Sequence, residues 1–184
     1  MKVTDFILDE LTKRGIDTVF GITGGFITPM FDAFSRHKDS KFVCTQNEQA
    51  AAFAADGYAR FKGLGCALAT SGPGATNLIT GIAASWFDSI PVIFITGQVN
   101  THDAALDSGV RQRGFQETDI VGIVRKITKF AVTVSDPKRI GYWLDFALLK
   151  AHSGRPGPVL LDIPIDVQLA EVDLETLQRL TFPP

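Results

Sequence analysis

A chain of 184 residues suits one domain with a substantial core. An apolar share of 45% and a charged share of 21% exclude a disordered or fibrous protein, and a net charge of -2 without any basic block argues against nucleic acid. No run approaches the ~20 apolar residues of a membrane helix, and the acid-interrupted start MKVTDFILDEL is no signal peptide, so a cytoplasmic protein without a membrane partner is expected.

Apolar Val3, Phe6, Ile7, Leu8 and Leu11 recur at helical intervals and predict a helix over 3–14, with Thr4 as N-cap and Gly15 as stop. A short strand over 18–22 leads into Thr23-Gly24-Gly25, after which Pro29 marks the start of a helix carrying Met30, Phe31 and Phe34. A second strand over 41–45 precedes QNEQAAAFAADGYAR, an alanine-rich helical segment opening on Glu48. GCALAT over 65–70 is a third strand, and the TSGPG turn feeds a helix from about Ala75 to Phe87. PVIFIT over 91–96 is apolar throughout, as in a central strand covered on both faces. Residues 98–115, with His102, Asp103, Asp107, Arg111 and Arg113, are irregular, and such long stretches are usually functional. A helix over 117–124, a strand over 130–134, an amphipathic helix over 137–152 and a strand over 157–163 complete the pattern, and the polar segment 171–184 reads as a linker.

Strands alternating with helices about six times predict an α/β fold with a doubly wound, mostly parallel six-stranded sheet. Ligands of such sheets bind beyond the carboxyl ends of the strands, where TGG, QNEQ, TSGPG and TGQV all fall. Glu48 alone could be an acid in a helix's first turn, stabilised by about 0.3–1 kcal/mol. The AAAFAA that follows, however, sets methyls and a ring where a surface helix carries charge, and a carboxylate among apolar groups can share a proton with a ligand nitrogen. The SGPG turn is neither a Walker loop nor a GxGxxG fingerprint, but its glycines admit a flat ring or an anion close to the backbone. Cys44 and Cys66 lie in predicted strands and read as buried free thiols, and His37 and His152 read as surface residues. His102 with Asp103 and Asp107 lacks metal-ligand spacing, so no metal site is expected. Arg155 on its own reads as a solvated turn arginine.

The blocks GITGGFITPMFDAF, NEQAAAFAADGYAR, ATSGPGATNLITGIAASWFDSIPVIFITGQV, GFQETDIV and GRPGPVLLDIPIDVQ occur in this order and cover most of the chain. Together they resemble the N-terminal, pyrimidine-binding domain of thiamine-diphosphate enzymes of the acetolactate synthase/pyruvate oxidase group. The resemblance implies that residues 1–170 form the pyrimidine (PYR) domain and that Glu48 bonds the pyrimidine N1′ of thiamine diphosphate. That contact promotes the imino tautomer that deprotonates C2, and the cofactor then attacks a 2-keto acid, which loses carbon dioxide. By the same resemblance Thr23, Gly24, Thr70, Pro73, Asn77 and Gln116 line the cofactor pocket, Phe115 and Gln116 reach toward the substrate, and Arg155 matches an FAD contact.

The chain departs from the family pattern in several places. Ile22-Thr23-Gly24-Gly25 replaces Tyr-Pro-Gly-Gly, and Asn47-Glu48-Gln49 replaces His-Glu-Gln. Pro164-Ile165-Asp166 lacks the lysine of Pro-Lys-Asp, and Arg111-Gln112-Arg113-Gly114 stands in place of Gly-Thr-Asp-Ala. These changes bear on the acceptor substrate and on FAD. The Gly-Asp-Gly…Asn segment that holds magnesium and diphosphate has no counterpart here, so the resemblance implies half a site. Its expected partners are a second copy, paired through helices 50–55 and 79–87, and a diphosphate-binding domain of the same or another chain. A non-catalytic dimerisation or regulatory module, or a subunit of a two-chain decarboxylase, stands as the alternative.

Overall fold

The computed structural model describes residues 1–105 and 108–181; Asp107 and the Phe182-Pro183-Pro184 end of the expected linker lie outside them. Six strands, β1 (Thr18–Gly21), β2 (Lys41–Cys44), β3 (Gly65–Ala69), β4 (Val92–Gln98), β5 (Phe130–Thr133) and β6 (Val159–Pro164), form one sheet in the order β2-β1-β3-β4-β6-β5. Every pairing is parallel, as the alternating pattern predicts. Helices α1 (Val3–Lys13), α2 (Thr28–Arg36), α7 (Ile140–His152) and α8 (Ile165–Leu169) cover one face. The other face carries α3 (Glu48–Lys62), α4 (Pro73–Asn77), α5 (Ile79–Asp88) and α6 (Ile120–Val124). All seven residues of β4 are buried, because helices press on it from both sides.

The α3–α5 contact explains the alanines. Ala51, Ala52, Ala55 and Ala59 are buried, and a methyl built on Gly81 of α5 would meet the Ala52 side chain at 2.2 Å. Only small residues let the two backbones approach this closely. Buried Asp56 is satisfied at the same seam, accepting bonds from the Ser85 hydroxyl at 2.8 Å and from Arg60 at 2.7 Å. Such an acid needs these partners, since an unpaired buried charge is costly.

Several sequence expectations shift. Thr4 is not the N-cap of α1: Lys2 holds that place, and Thr4 is buried without a partner for its hydroxyl among the described residues. The helix expected from Ala75 to Phe87 is two, α4 and α5, joined at Leu78. Residues 117–119 precede α6 instead of belonging to it, because Asp119 caps the helix by accepting from the Gly122 amide. Cys66 is buried, and burial pushes its thiol well up from its ordinary value, but Cys44 is exposed on edge strand β2. His37 is largely covered, with Nε2 2.8 Å from Asp9 Oδ1. The polar segment after Ala170 packs back on the domain: Val172 pairs with Met1, Leu177 is buried, and Arg179 bonds Asp145 and Glu10. Burial raises the Glu10 carboxyl, but hydrogen bonds from Arg14, Lys13 and Arg179 outweigh it and hold the group at about 2.

Candidate active site

The site assembles at the carboxyl ends of β1, β2 and β3, as the parallel topology requires. Asn47 caps α3 by accepting from the Ala50 amide at 2.8 Å, which sets Glu48 in the first turn at the helix mouth. Asn77, at the end of α4, donates through Nδ2 to Glu48 Oε2 at 2.9 Å. That bond orients the carboxylate and presents Oε1 beside Gly74, where an added methyl would stand 3.2 Å from it.

Thr70 is the hub of the pocket. Methyls built on Gly24 or Gly74 would strike its side chain at 2.5 and 2.7 Å, and its Oγ1 accepts from the Phe26 amide at 3.1 Å. Two glycines are therefore needed where the turns after β1 and β3 meet. Gly72 has φ +60, and a methyl built on it would meet the Gln116 carbonyl oxygen at 2.6 Å and its Cβ at 2.8 Å, so any side chain there is excluded twice over. Gln116 itself has φ 56, an uncommon conformation for a residue with a Cβ. Thr23 is exposed at the rim beside Gly24, and Pro73 opens α4. Phe115 is 74% exposed, projecting from the loop that carries Gln116.

Arg155 does not join this group. It precedes β6, at the amino edge of the sheet, where it donates to Ser89 Oγ at 2.5 Å and to the Phe87 carbonyl at 3.4 Å. Trp86, Phe87, Lys129, Ser153 and Pro156 surround it in a cleft of about 420 Å³. Among the described residues no group of three or more His, Cys, Asp or Glu could hold a metal ion, and no helix is long and apolar enough to cross a membrane.

Two acids beside the site carry roles that sequence reading did not single out. Glu117 accepts from the amides of Ala105, Arg113 (2.9 Å) and Gly114 (3.1 Å), stapling the loop that bears Phe115 and Gln116. Burial raises its carboxyl, and these amides outweigh that and draw it below its ordinary value. Replacing Glu117 by Gln swaps one acceptor oxygen for a donor facing other donors. Amide exchange at Ala105, Arg113 and Gly114 is expected to speed up by roughly tenfold, the scale of one lost net hydrogen bond, with little change in melting temperature. Unchanged protection at these amides would count against the staple.

Asp162 lies inside β6, accepting from Thr96 (2.7 Å), Gln98 (3.1 Å) and Thr133 (3.2 Å), and borders a cleft of about 340 Å³ with Glu117 and Asp119. Its one sequence signal is a lone acid in an otherwise apolar strand, GPVLLDI.

Comparison with known proteins supplies the family. Residues 1–123 match the model of the thiamine pyrophosphate enzyme N-terminal TPP binding domain. The chain is 45% identical to acetolactate synthase isozyme 2 large subunit of Escherichia coli over 176 residues, which is 95% of this chain and 31% of that protein. Over 165 residues it is 47% identical to the acetolactate synthase large subunit of Parasynechococcus marenigrum, covering 88% of this chain and 26% of that one. The chloroplastic acetolactate synthase of Arabidopsis thaliana is 42% identical over 182 residues, 97% of this chain and 26% of its own. The chain thus spans about a quarter to a third of these relatives. It belongs to the N-terminal TPP-binding domain family of thiamine pyrophosphate enzymes and is acetolactate-synthase-like.

Proposed function

We propose that this chain forms the pyrimidine half of the cofactor site of an acetolactate-synthase-like enzyme that decarboxylates a 2-keto acid such as pyruvate and joins the product to an acceptor. The observation that carries the reading is the Glu48 carboxylate, oriented by Asn77 and set beside a cradle of turns that close on Thr70 and Gln116 only because Gly24, Gly72 and Gly74 lack a Cβ. The cradle suits a flat heteroaromatic ring, and the helix-mouth carboxylate suits a ring nitrogen that must share a proton.

Thiamine diphosphate, when bound, supplies the carbanion chemistry that cleaves the bond next to a 2-keto acid's carbonyl. The residues of this chain prepare it. Asn77 engages Oε2, which leaves Oε1 as the Glu48 oxygen that would meet the pyrimidine N1′ and hold a proton there. Gly24 and Gly74 let the turns after β1 and β3 close on Thr70, Gly72 lets the Gln116 loop pack against them, and the wall so formed would receive the ring. Phe115 and Gln116, on the loop packed against Gly72, would contact the 2-keto acid and exclude water from it.

The Glu48–Asn77 bond is exposed, which supports a site closed by a second surface that would hold the diphosphate and magnesium. An FAD contact through Arg155 would fall at the opposite edge of the sheet and enters no step here. Exposed Phe53, Phe61, Trp86 and Phe87 on or beside α3 and α5 are the face for a second copy, in a cytoplasmic dimer. Gly74→Val tests the pocket. In the assembled enzyme it is expected to weaken thiamine diphosphate binding at least tenfold in calorimetric titration while the circular dichroism spectrum stays as in the wild type. Wild-type affinity in that variant would place the cofactor elsewhere.

A further inference from the structure

Gln168 is wholly buried on the short helix α8, and its side chain bonds only backbone. Its Nε2 donates to the Phe26 carbonyl and to the Ile163 carbonyl, both at 2.7 Å. Phe26 belongs to the Gly25–Ile27 turn that follows β1. On its other side the Phe26 carbonyl abuts Gly97 of β4, where an added methyl would stand 2.0 Å from the oxygen. The Phe26 peptide is therefore clamped between Gly97 and Gln168.

The same residue reaches the pocket through its preceding peptide, since the Phe26 amide donates to Thr70 Oγ1. Thr70 in turn fills the space left by Gly24 and Gly74, and Gly74 borders Glu48 Oε1. A continuous line of contacts joins Gln168, the 24–27 turn, Thr70 and the oxygen proposed to face the cofactor.

We infer that Gln168 is a positioning residue for the cofactor pocket: it touches no reacting atom, and it holds the Gly24–Ile27 turn in register with Thr70 and Glu48. The inference rests on the thiamine-diphosphate reading for its functional consequence, though not for the turn itself. Two buried carbonyls need two donors on one side chain, and of the side chains of this length an amide supplies both without bringing a charge into the core. The stem of α8 sets the reach. The remaining Gln168 oxygen has no partner among the described residues, so the side chain is held by its donors alone.

Two substitutions test this in the assembled enzyme. Gln168→Met keeps the volume and removes both donors. Gln168→Glu keeps the shape and supplies one O–H donor when protonated and none when ionised. The first readout needs no cofactor: amide exchange at Phe26 should accelerate at least tenfold in Gln168→Met, with the Thr18–Gly21 amides unchanged. The second is thiamine diphosphate affinity, expected to fall at least tenfold in Gln168→Met. In Gln168→Glu affinity should weaken further as pH rises through ionisation of the new carboxyl, a trend absent from the wild type. A role confined to stability would lower the melting temperature of both variants and leave the affinity of the folded protein and its pH profile as in the wild type; that result overturns the inference. If Gln168→Met does not fold, the Gln168→Glu pH profile decides alone. Wild-type protein that fails to bind thiamine diphosphate would refute the cofactor reading, and the Phe26 exchange would still decide whether Gln168 holds the turn.

Discussion

Replacing Glu48 by Gln in the assembled enzyme is expected to slow C2 proton exchange of bound thiamine diphosphate by about 10²–10⁴-fold, the usual contribution of a positioned acid or base. The amide has nearly the same shape. Its oxygen can still accept from Asn77, which now bonds Oε2 at 2.9 Å, so the pocket and cofactor affinity should change little. What is lost is the group able to hold a proton against N1′. The fold loses only one charge in the first turn of α3, worth about 0.3–1 kcal/mol, and Asn47 still caps the helix. Exchange followed by NMR after acid quench, beside a melting curve, reads both effects. If the variant exchanges C2 at the wild-type rate with cofactor fully bound, Glu48 is not the activating acid.

Asp162 should dominate the pH dependence of stability. Burial pushes its carboxyl up from 3.8 to about 7; bonds from Thr96, Gln98 and Thr133 pull the other way, and the nearby charge of Asp119 adds to the rise. A folded-state value above the unfolded one means that the folded protein holds the proton more tightly. The resulting stabilisation is complete below the unfolded value of 3.8 and is lost as pH climbs to about 7. A shift of this size corresponds to roughly 4 kcal/mol at most. Glu10, held at about 2, acts with the opposite sign: its contribution is present above 4.5 and disappears as pH falls toward 2. The two windows barely overlap, so stability should peak near the boundary between them, about pH 4–5.

Asp162→Asn removes the titrating group and is expected to flatten the decline between pH 4 and pH 7. Asp162→Ala, which strands the buried Thr96 hydroxyl, removes an acceptor from Gln98 and Thr133 and opens a cavity, is expected to lose about 2–3 kcal/mol at any pH in that range. Urea unfolding at several pH values, wild type against each variant, makes the comparison. Parallel wild-type and Asp162→Asn profiles would show that Asp162 carries the same charge folded and unfolded.

Much of the architecture was legible in the sequence, because it follows from local rules. Val3, Phe6, Ile7 and Leu11 place one helix face on the core, and PVIFIT reads as the strand covered on both sides that it is. The alternation of such segments leaves a parallel sheet as the economical solution, and parallel strands put TGG, QNEQ and TSGPG at one edge. The motif resemblance singled out Gly24, Glu48, Thr70, Asn77 and Gln116, and contacts link Gly24, Thr70 and Glu48 with Asn77, while Gln116 packs on Gly72 beside them.

Only the tertiary structure decided which of these groups touch. Asn77 and Glu48 are 29 residues apart, and Gln168 and Phe26 are 142 apart; no period or turn rule couples such positions. Thr4 has the chemistry of a cap, yet packing buried it, because the chain enters α1 through its pairing with residues 170–172. Cys44 alternates as a strand residue should, but the sheet ends at β2 and leaves it uncovered. Arg155 sits among family-like residues and folds to the far edge, since it precedes its strand whereas Glu48 follows one. The sequence by itself determined most of the elements, the parallel character of the sheet and the acid at the helix mouth. The fold decided the partners, because a hydrogen bond between distant segments depends on where packing brings two backbones together, and the identity of either residue alone does not contain that distance.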